Sequence, residues 1–124
     1  MKVSEVMARN PRTIRCGELV QKAAELLAQE DIGGLPVQKD DRLLGMITDR
    51  DIVVRVVAGH RKPEETPVEE VVSEGVKYCF EDDDAASVAN NMDQLLVRRL
   101  PVVNRDKRLV GIVSIEDIRP RANT

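Results

Sequence analysis

The chain has 124 residues and a formal net charge of −3, with 33% charged and 42% hydrophobic residues. That length corresponds to about one ordinary domain, and the acidic balance argues against a general nucleic-acid binder. Aromatic residues make up 2% of the chain, Tyr78 and Phe80 alone, so Val, Leu, Ile, Met and Ala must supply the core. With two cysteines, no basic-then-apolar leader and no apolar run of spanning length, the expectation is a cytoplasmic protein with reduced thiols and no membrane association.

In chain order, a short opening helix is expected around Val3, Val6 and Met7. Asn10-Pro11 ends it, because the residue before proline is driven out of helical geometry. Thr13-Ile14 reads as a short strand. Leu19, Val20, Ala23, Ala24 and Leu27 recur at helical spacing and predict an amphipathic helix over 18–30, broken by Gly33-Gly34. Residues 35–38 and 43–47 read as apolar strands around the polar turn Lys39-Asp40-Asp41-Arg42, and 49–58 as a helix stopped by Gly59. A polar, proline-interrupted stretch near 59–67 follows. The order then begins again. Residues 68–72 open it and 76–80 form its short strand. Ala85, Val88, Ala89, Met92 and Leu96 mark an amphipathic helix, and 100–103 and 109–113 form paired strands. Pro120 follows soon after Asp117, so the last helix should be much shorter than its counterpart.

The recurrence is a sequence repeat. Gly45-Met46-Ile47-Thr48-Asp49-Arg50-Asp51 returns as Gly111-Ile112-Val113-Ser114-Ile115-Glu116-Asp117, and Leu35-Pro36-Val37 as Leu100-Pro101-Val102. The second pair is offset by 65 residues and the first by 66, so one residue is inserted in the intervening polar turn. Two units, 1–66 and 67–124, account for nearly the whole chain. A unit of about 60 residues is marginal alone, so the two are expected to share a core.

The repeated turn has chemistry of its own. Thr48 and Ser114 stand where a strand passes into a helix, whose first unpaired N–H groups favour phosphate. Asp51 and Asp117, three residues on, offer paired acceptor oxygens suited to the vicinal hydroxyls of a ribose. Gly45 and Gly111 would let a ligand approach the backbone, and Met46, Ile47, Ile112 and Val113 could flank a purine. The same spacing is also a capping box, in which hydroxyl and acid satisfy the helix start and no ligand is needed.

Charge is uneven along the chain. Residues 64–84 carry nine acids and one lysine, whereas 98–121 carry seven basic residues and three acids. The first reads as a solvated acidic linker and the second as a basic strand-and-loop face able to attract an anion such as phosphate. Other signals point away from catalysis and metals. Glu81-Asp82-Asp83-Asp84 lacks the spacing of a calcium loop and precedes a helix, where acids favour the dipole. His60, Cys16 and Cys79 are too few for zinc. There is no Ser-His-Asp set, Walker loop or dinucleotide fingerprint. No catalytic residue and no metal ligand is expected.

The apolar-x-x-Leu-Pro-Val strands (32–37 and 97–102) and the duplicated Gly-apolar-apolar-Thr/Ser-x-x-Asp turn together resemble the CBS-domain family, named after cystathionine beta-synthase. The resemblance covers the entire chain and is greatest to small stand-alone prokaryotic pairs. It implies an α+β fold of two βαββα repeats about a pseudo-twofold axis, packed as one compact Bateman module with clefts between the sheets. It implies a non-catalytic sensor with no required cofactor, binding AMP, ADP, ATP, NAD(H) or S-adenosylmethionine as regulatory ligand. A homodimer formed through helices is also implied, with Ile52, Val53, Val56 and Val57 on offer unless they complete the core, and any effector protein would act in trans. Under the resemblance, one cleft combines Thr48, Arg50 and Asp51 with Gly75, Val76, Lys77, Val97 and Arg98. The other combines Ser114, Glu116 and Asp117 with Asn10, Pro11, Arg12, Ile32 and Gly33. Arg50, Lys77 and Arg98 are available for phosphates in the first, whereas Glu116 opposes them in the second, so the Asp51 cleft is expected to bind anionic nucleotides more tightly. The alternative is a ligand-independent dimerisation or scaffold module whose turns are helix caps.

Overall fold

A computed structural model describes residues 1–30, 33–73 and 75–119. The strands are β1 (Ala8–Arg9), β2 (Ile14–Arg15), β3 (Gly34–Lys39), β4 (Arg42–Thr48), β5 (Cys79–Phe80), β6 (Arg99–Val103) and β7 (Leu109–Ser114). The helices are α1 (Val20–Glu30), α2 (Asp49–Asp51), α3 (Ala85–Leu95) and α4 (Ile115–Ile118), with a π-helical segment at Ile52–Val57. This is a mixed α+β chain. It divides into two compact units: Arg12–Val76 is one, and Met1–Pro11 with Lys77–Thr124 is the other.

In the Arg12–Val76 unit the sheet order is β2-β3-β4. β2 runs parallel to β3, and β3 and β4 form an antiparallel hairpin. The polar turn closes this hairpin with Asp40 and Asp41 at φ 52° and 65°. Two successive left-handed residues are the twist a tight hairpin needs, and aspartate tolerates that region better than most side chains. Helix α1 buries Val20, Ala23 and Leu27. They join a core of Ile14, Leu35, Val37, Ile47, Val56, Val68, Val71 and Val72.

The segment after β4, read as one helix over 49–58, is a single α-turn followed by six π-helical residues. Val56 is fully buried and Ile52 packs on the core. Val53, Val54 and Val57 are exposed. The strand order is completed by one isolated bridge, Met46 to Ser73, at the free edge of β4.

The second unit has the same plan with one longer edge. Its sheet order is β1-β7-β6-β5. β1 pairs antiparallel with β7, Ala8 opposite Ile112 and Arg9 opposite Gly111. By the repeat offsets, this is the position of the Met46–Ser73 bridge. Val3, Met7, Cys79, Ala85, Val88, Met92, Leu100, Val102 and Val113 form the core. The register irregularity recurs too, between Val37 and Gln38 in one hairpin and between Val102 and Val103 in the other.

The motif glycines have a different cause from the one expected. A methyl group on Gly45 would stand 2.6 Å from the Ser73 carbonyl oxygen, and one on Gly111 would stand 2.7 Å from that of Ala8. It is the protein's own leading segment, 72–73 or 7–8, that approaches each glycine. No ligand is needed to account for them.

Other expectations are adjusted in detail. The opening helices are 3-10 turns at Val3–Glu5 and Val68–Glu70. The strand read over 76–80 is confined to Cys79–Phe80. Helix α4 has four residues, against the nine of Asp49–Val57, as expected of a short last helix; Pro120 lies outside the described residues. The acidic run has structural work. Asp84 caps α3 by accepting from Ser87 N–H at 3.1 Å, Asp83 accepts from Phe80 N–H at 2.9 Å, and Asp82 pairs with Arg105 at 2.8 Å. The serine contacts and the Arg105 guanidinium hold Asp84 and Asp82, respectively, below the usual carboxylate range.

Leu96, read as part of the buried stripe of α3, instead ends that helix. It is left-handed at φ 58° and 90% exposed. Its N–H reaches Asp93 O, and Val97 N–H reaches Met92 O at 3.0 Å. That is a Schellman termination, with Val97 folded back onto the core. A leucine there suffers left-handed strain and buries almost nothing. Leu96→Gly should therefore raise stability by up to about 1 kcal/mol despite its more flexible unfolded chain; urea unfolding of both proteins measures it.

Candidate functional site

Each repeated turn ends a β-strand in extended geometry and starts a helix. Thr48 has φ −115° and ψ 164°, and Ser114 has φ −106° and ψ 160°. Thr48 Oγ1 accepts from Asp51 N–H at 3.1 Å, and Asp51 Oδ2 accepts from Thr48 N–H at 2.9 Å. Ser114 Oγ accepts from Asp117 N–H at 3.3 Å, and Asp117 Oδ2 accepts from Ser114 N–H at 2.9 Å. Both turns are thus complete capping boxes.

The two carboxylates differ beyond that shared frame. Asp51 is only 8% exposed. Its Oδ2 also accepts from Thr48 Oγ1 at 2.9 Å, and its Oδ1 accepts from Ser73 Oγ at 2.8 Å. Arg55 Nε stands 3.9 Å from Oδ1, and its Nη1 donates to the carbonyls of Val71 and Val72, each at 3.3 Å. Asp51 therefore ties the start of its helix to the segment that crosses β4. Asp117 is exposed, and among the described residues its Oδ1 receives no hydrogen bond.

Arg50 is exposed on the first turn of its helix, Gly75 is exposed at φ 67°, and Val76 is half-buried; all three belong with Thr48 and Asp51 to the Arg12–Val76 unit. Lys77, Val97 and Arg98 belong to the other unit. Lys77 lines a cavity of about 220 Å³ with Tyr78, Asn91 and Leu95. Arg98 stands beside the Ser114 turn: its carbonyl accepts from Ile115 N–H at 2.9 Å, and its guanidinium pairs with Glu116. Gly33 stands beside the Thr48 turn, its carbonyl accepting from Asp49 N–H at 3.2 Å. Asn10, at φ 54°, occupies the left-handed position that Gly75 fills in the other repeat. Pro11 follows it, half-buried, and Arg12 pairs with Glu30 at 2.9 Å. Ile32 lies outside the described residues.

The structure thus gathers Thr48, Asp51 and Gly33 on one unit, and Ser114, Glu116, Asp117 and Arg98 on the other. Sequence reasoning missed Ser73 and Arg55. A search for repeated residues passes over Ser73, because Ala8 stands at its position in the first repeat. Neither thiol nor imidazole forms a reactive cluster among the described residues, and no group of three or more His, Cys, Asp or Glu gathers there to hold a metal ion. Burial and the nearby Asp83 carboxylate push the Cys79 thiol up to about 12. No described helix is long and apolar enough to cross a membrane.

Comparison with known proteins agrees with this duplicated plan. The model of one family, described as CBS domain, matches twice, at residues 3–58 and 68–121. The CBS domain-containing protein YhcV of Bacillus subtilis is 35% identical over 116 residues, covering 94% of this chain and 81% of its own. A crystal structure of Hypoxic Response Protein I with two coordinated zinc ions aligns at TM-score 0.85 and 32% identity, covering 99% of this chain and 100% of that one. The CBS domain pair of protein MJ0100, in complex with 5-methylthioadenosine and S-adenosyl-L-methionine, aligns at TM-score 0.78 and 30% identity, covering 96% and 93%.

The contrast between the carboxylates is measurable without any ligand. Asp51→Ala strands the Ser73 hydroxyl and the Thr48 amide and should cost about 2–3 kcal/mol. Asp117→Ala removes one exposed cap and should cost about 1 kcal/mol or less; urea titration compares the two. Cys79 should resist thiol-specific reagents at pH 8 until denaturant is added, as peptide mass mapping of the labelled protein will show. Because its folded value lies above the ordinary 9.0, its contribution to stability is complete below pH 9 and is lost as the pH rises toward 12.

Proposed function

Because this chain belongs to the CBS domain family as a tandem pair, we propose that it is a non-catalytic regulatory module for an adenosine-bearing ligand. AMP, ADP, ATP, NAD(H) and S-adenosylmethionine are the candidates. The observation that carries this reading is the Ser114–Asp117 turn. Its carboxylate is exposed, one of its oxygens receives no hydrogen bond among the described residues, and the Arg98 guanidinium stands at the neighbouring Glu116. A vicinal diol matches that exposed carboxylate, and a phosphate or other anion matches the arginine once it leaves Glu116. Support comes from the 30% identical MJ0100 pair, whose structure holds two adenosyl compounds.

The output is conformational. A ligand biases the chain only as far as it prefers one state over another, and an effector protein acting in trans reads the shift. The molecule works in the cytoplasm as a homodimer, with exposed Val53 and Val57 in the helical contact. A second reading has one observation in its favour. Both turns are satisfied as caps without a ligand, as a dimerisation scaffold would require.

A thermal-shift series with AMP, ADP, ATP, NAD, S-adenosylmethionine and 5-methylthioadenosine separates the two. A ligand at a hundredfold excess over its Kd stabilises by about 2.7 kcal/mol, enough to raise the melting temperature by several degrees. Asp117→Ala should remove that rise. A flat response across the whole series supports the scaffold.

A further inference from the structure

We propose that Ser73 is a built-in competitor for the ligand at Asp51, so that the Ser114–Asp117 turn is the stronger binding site. This rests on the adenosine-ligand reading and assigns its two sites unequal strength, in the opposite order to that expected from counting nearby cations.

The hydroxyl of Ser73 donates to Asp51 Oδ1 at 2.8 Å, the interaction that a ribose hydroxyl would make. The other oxygen already takes two hydrogen bonds from Thr48, at 2.9 Å each. Only one of the roughly four acceptor positions on Asp51 remains, on Oδ1, so the two hydroxyls of a diol cannot both be accepted without displacing a protein donor. Ser73 is not held there by chance. Its N–H donates to the Met46 carbonyl at 3.0 Å, its own carbonyl lies against Gly45, and Arg55 clamps the carbonyls of Val71 and Val72 just before it. The hydroxyl is therefore presented to Asp51 by a fixed backbone, at high effective concentration and with little entropy left to lose.

The second repeat provides an internal control. Ala8 faces Ile112 across the sheet, as Ser73 faces Met46. At that position it can donate nothing to Asp117, whose Oδ1 receives no hydrogen bond among the described residues. Ser73 against Ala8 at matched positions thus accounts for the donor at Asp51 Oδ1 that Asp117 Oδ1 lacks among the described residues. A diol that places both hydroxyls on Asp51 Oδ1 must release Ser73, so occupancy of that kind would loosen the 71–73 segment.

Calorimetric titration of the full chain with AMP, and separately with S-adenosylmethionine, tests this. The wild type should bind a single strong equivalent that Asp117→Ala abolishes and Ser73→Thr leaves unchanged. Ser73→Ala should strengthen a second equivalent by about tenfold or more, the weight of one hydrogen bond to a charged group. Asp51→Asn in the Ser73→Ala background should remove it. Wild-type binding that is lost with Asp51→Asn and kept with Asp117→Ala overturns the inference alone, as does a Ser73→Ala protein that gains nothing. No heat from either ligand with the wild type or with Ser73→Ala overturns the inference together with the functional reading beneath it.

Discussion

A leading segment crossing over the glycine of a β-hairpin is the constraint on which both units rest. At Gly45 and Gly111 backbone meets backbone so closely that a single methyl group would fall within 2.7 Å of a carbonyl oxygen. Real Cβ atoms do not tolerate that distance, so no other residue fits without displacing the crossing strand. The contact delivers Val71 and Val72 to one core and Val3 and Met7 to the other. It also sets the edge of each hairpin, and with it the height at which the following turn emerges. The hydroxyl-x-x-carboxylate turn begins three residues beyond each glycine, so its position depends on the same close approach.

Much of the architecture was legible because it rests on local periodicity. The apolar spacing of 19–27 and 85–92 marked α1 and α3, and the paired Leu-Pro-Val runs marked the hairpins that α1 and α3 cover. The polar turn at Asp40-Asp41 was legible as a loop, because aspartate accepts the left-handed backbone that the hairpin twist demands. Features set by neighbours distant in sequence were not. Repetition at a fixed offset says that two stretches share a structure; it does not say which hairpin a leading segment covers. In sequence alone the glycines therefore read as room for a ligand. Leu96 keeps the helical spacing of the stripe, and only the Schellman closure by Val97 takes it off the buried face.

The candidate site was legible as a pair of turns and illegible as a pair of unequal ones. Thr48 with Asp51 and Ser114 with Asp117 stand out because they are duplicated. Among the things that distinguish them is Ser73 against Ala8, a difference, which a search for likeness discards. The π-helical run Ile52–Val57 is similar. Its apolar composition indicates a helix, but the widened turn that buries Val56 while exposing Val53, Val54 and Val57 has no signature in periodicity. The acidic run 81–84 was legible as a helix start, because acids ahead of a helix favour its dipole. The acids before α3 serve the helix start and Arg105, and no divalent ion is required to explain them.

The exchange of leading segments puts inheritance and folding out of phase. Ancestry is counted in copies that match a common family at 3–58 and 68–121, whereas compactness is counted from Arg12 to Val76 and from what remains on either side. Severing the chain between its copies would leave each fragment without the strip that seals its own sheet. A circular permutant opened before Arg12, its old termini joined, would instead keep both bodies whole along an unbroken thread. The natural cutting point of this molecule is thus about ten residues away from the one its genealogy suggests.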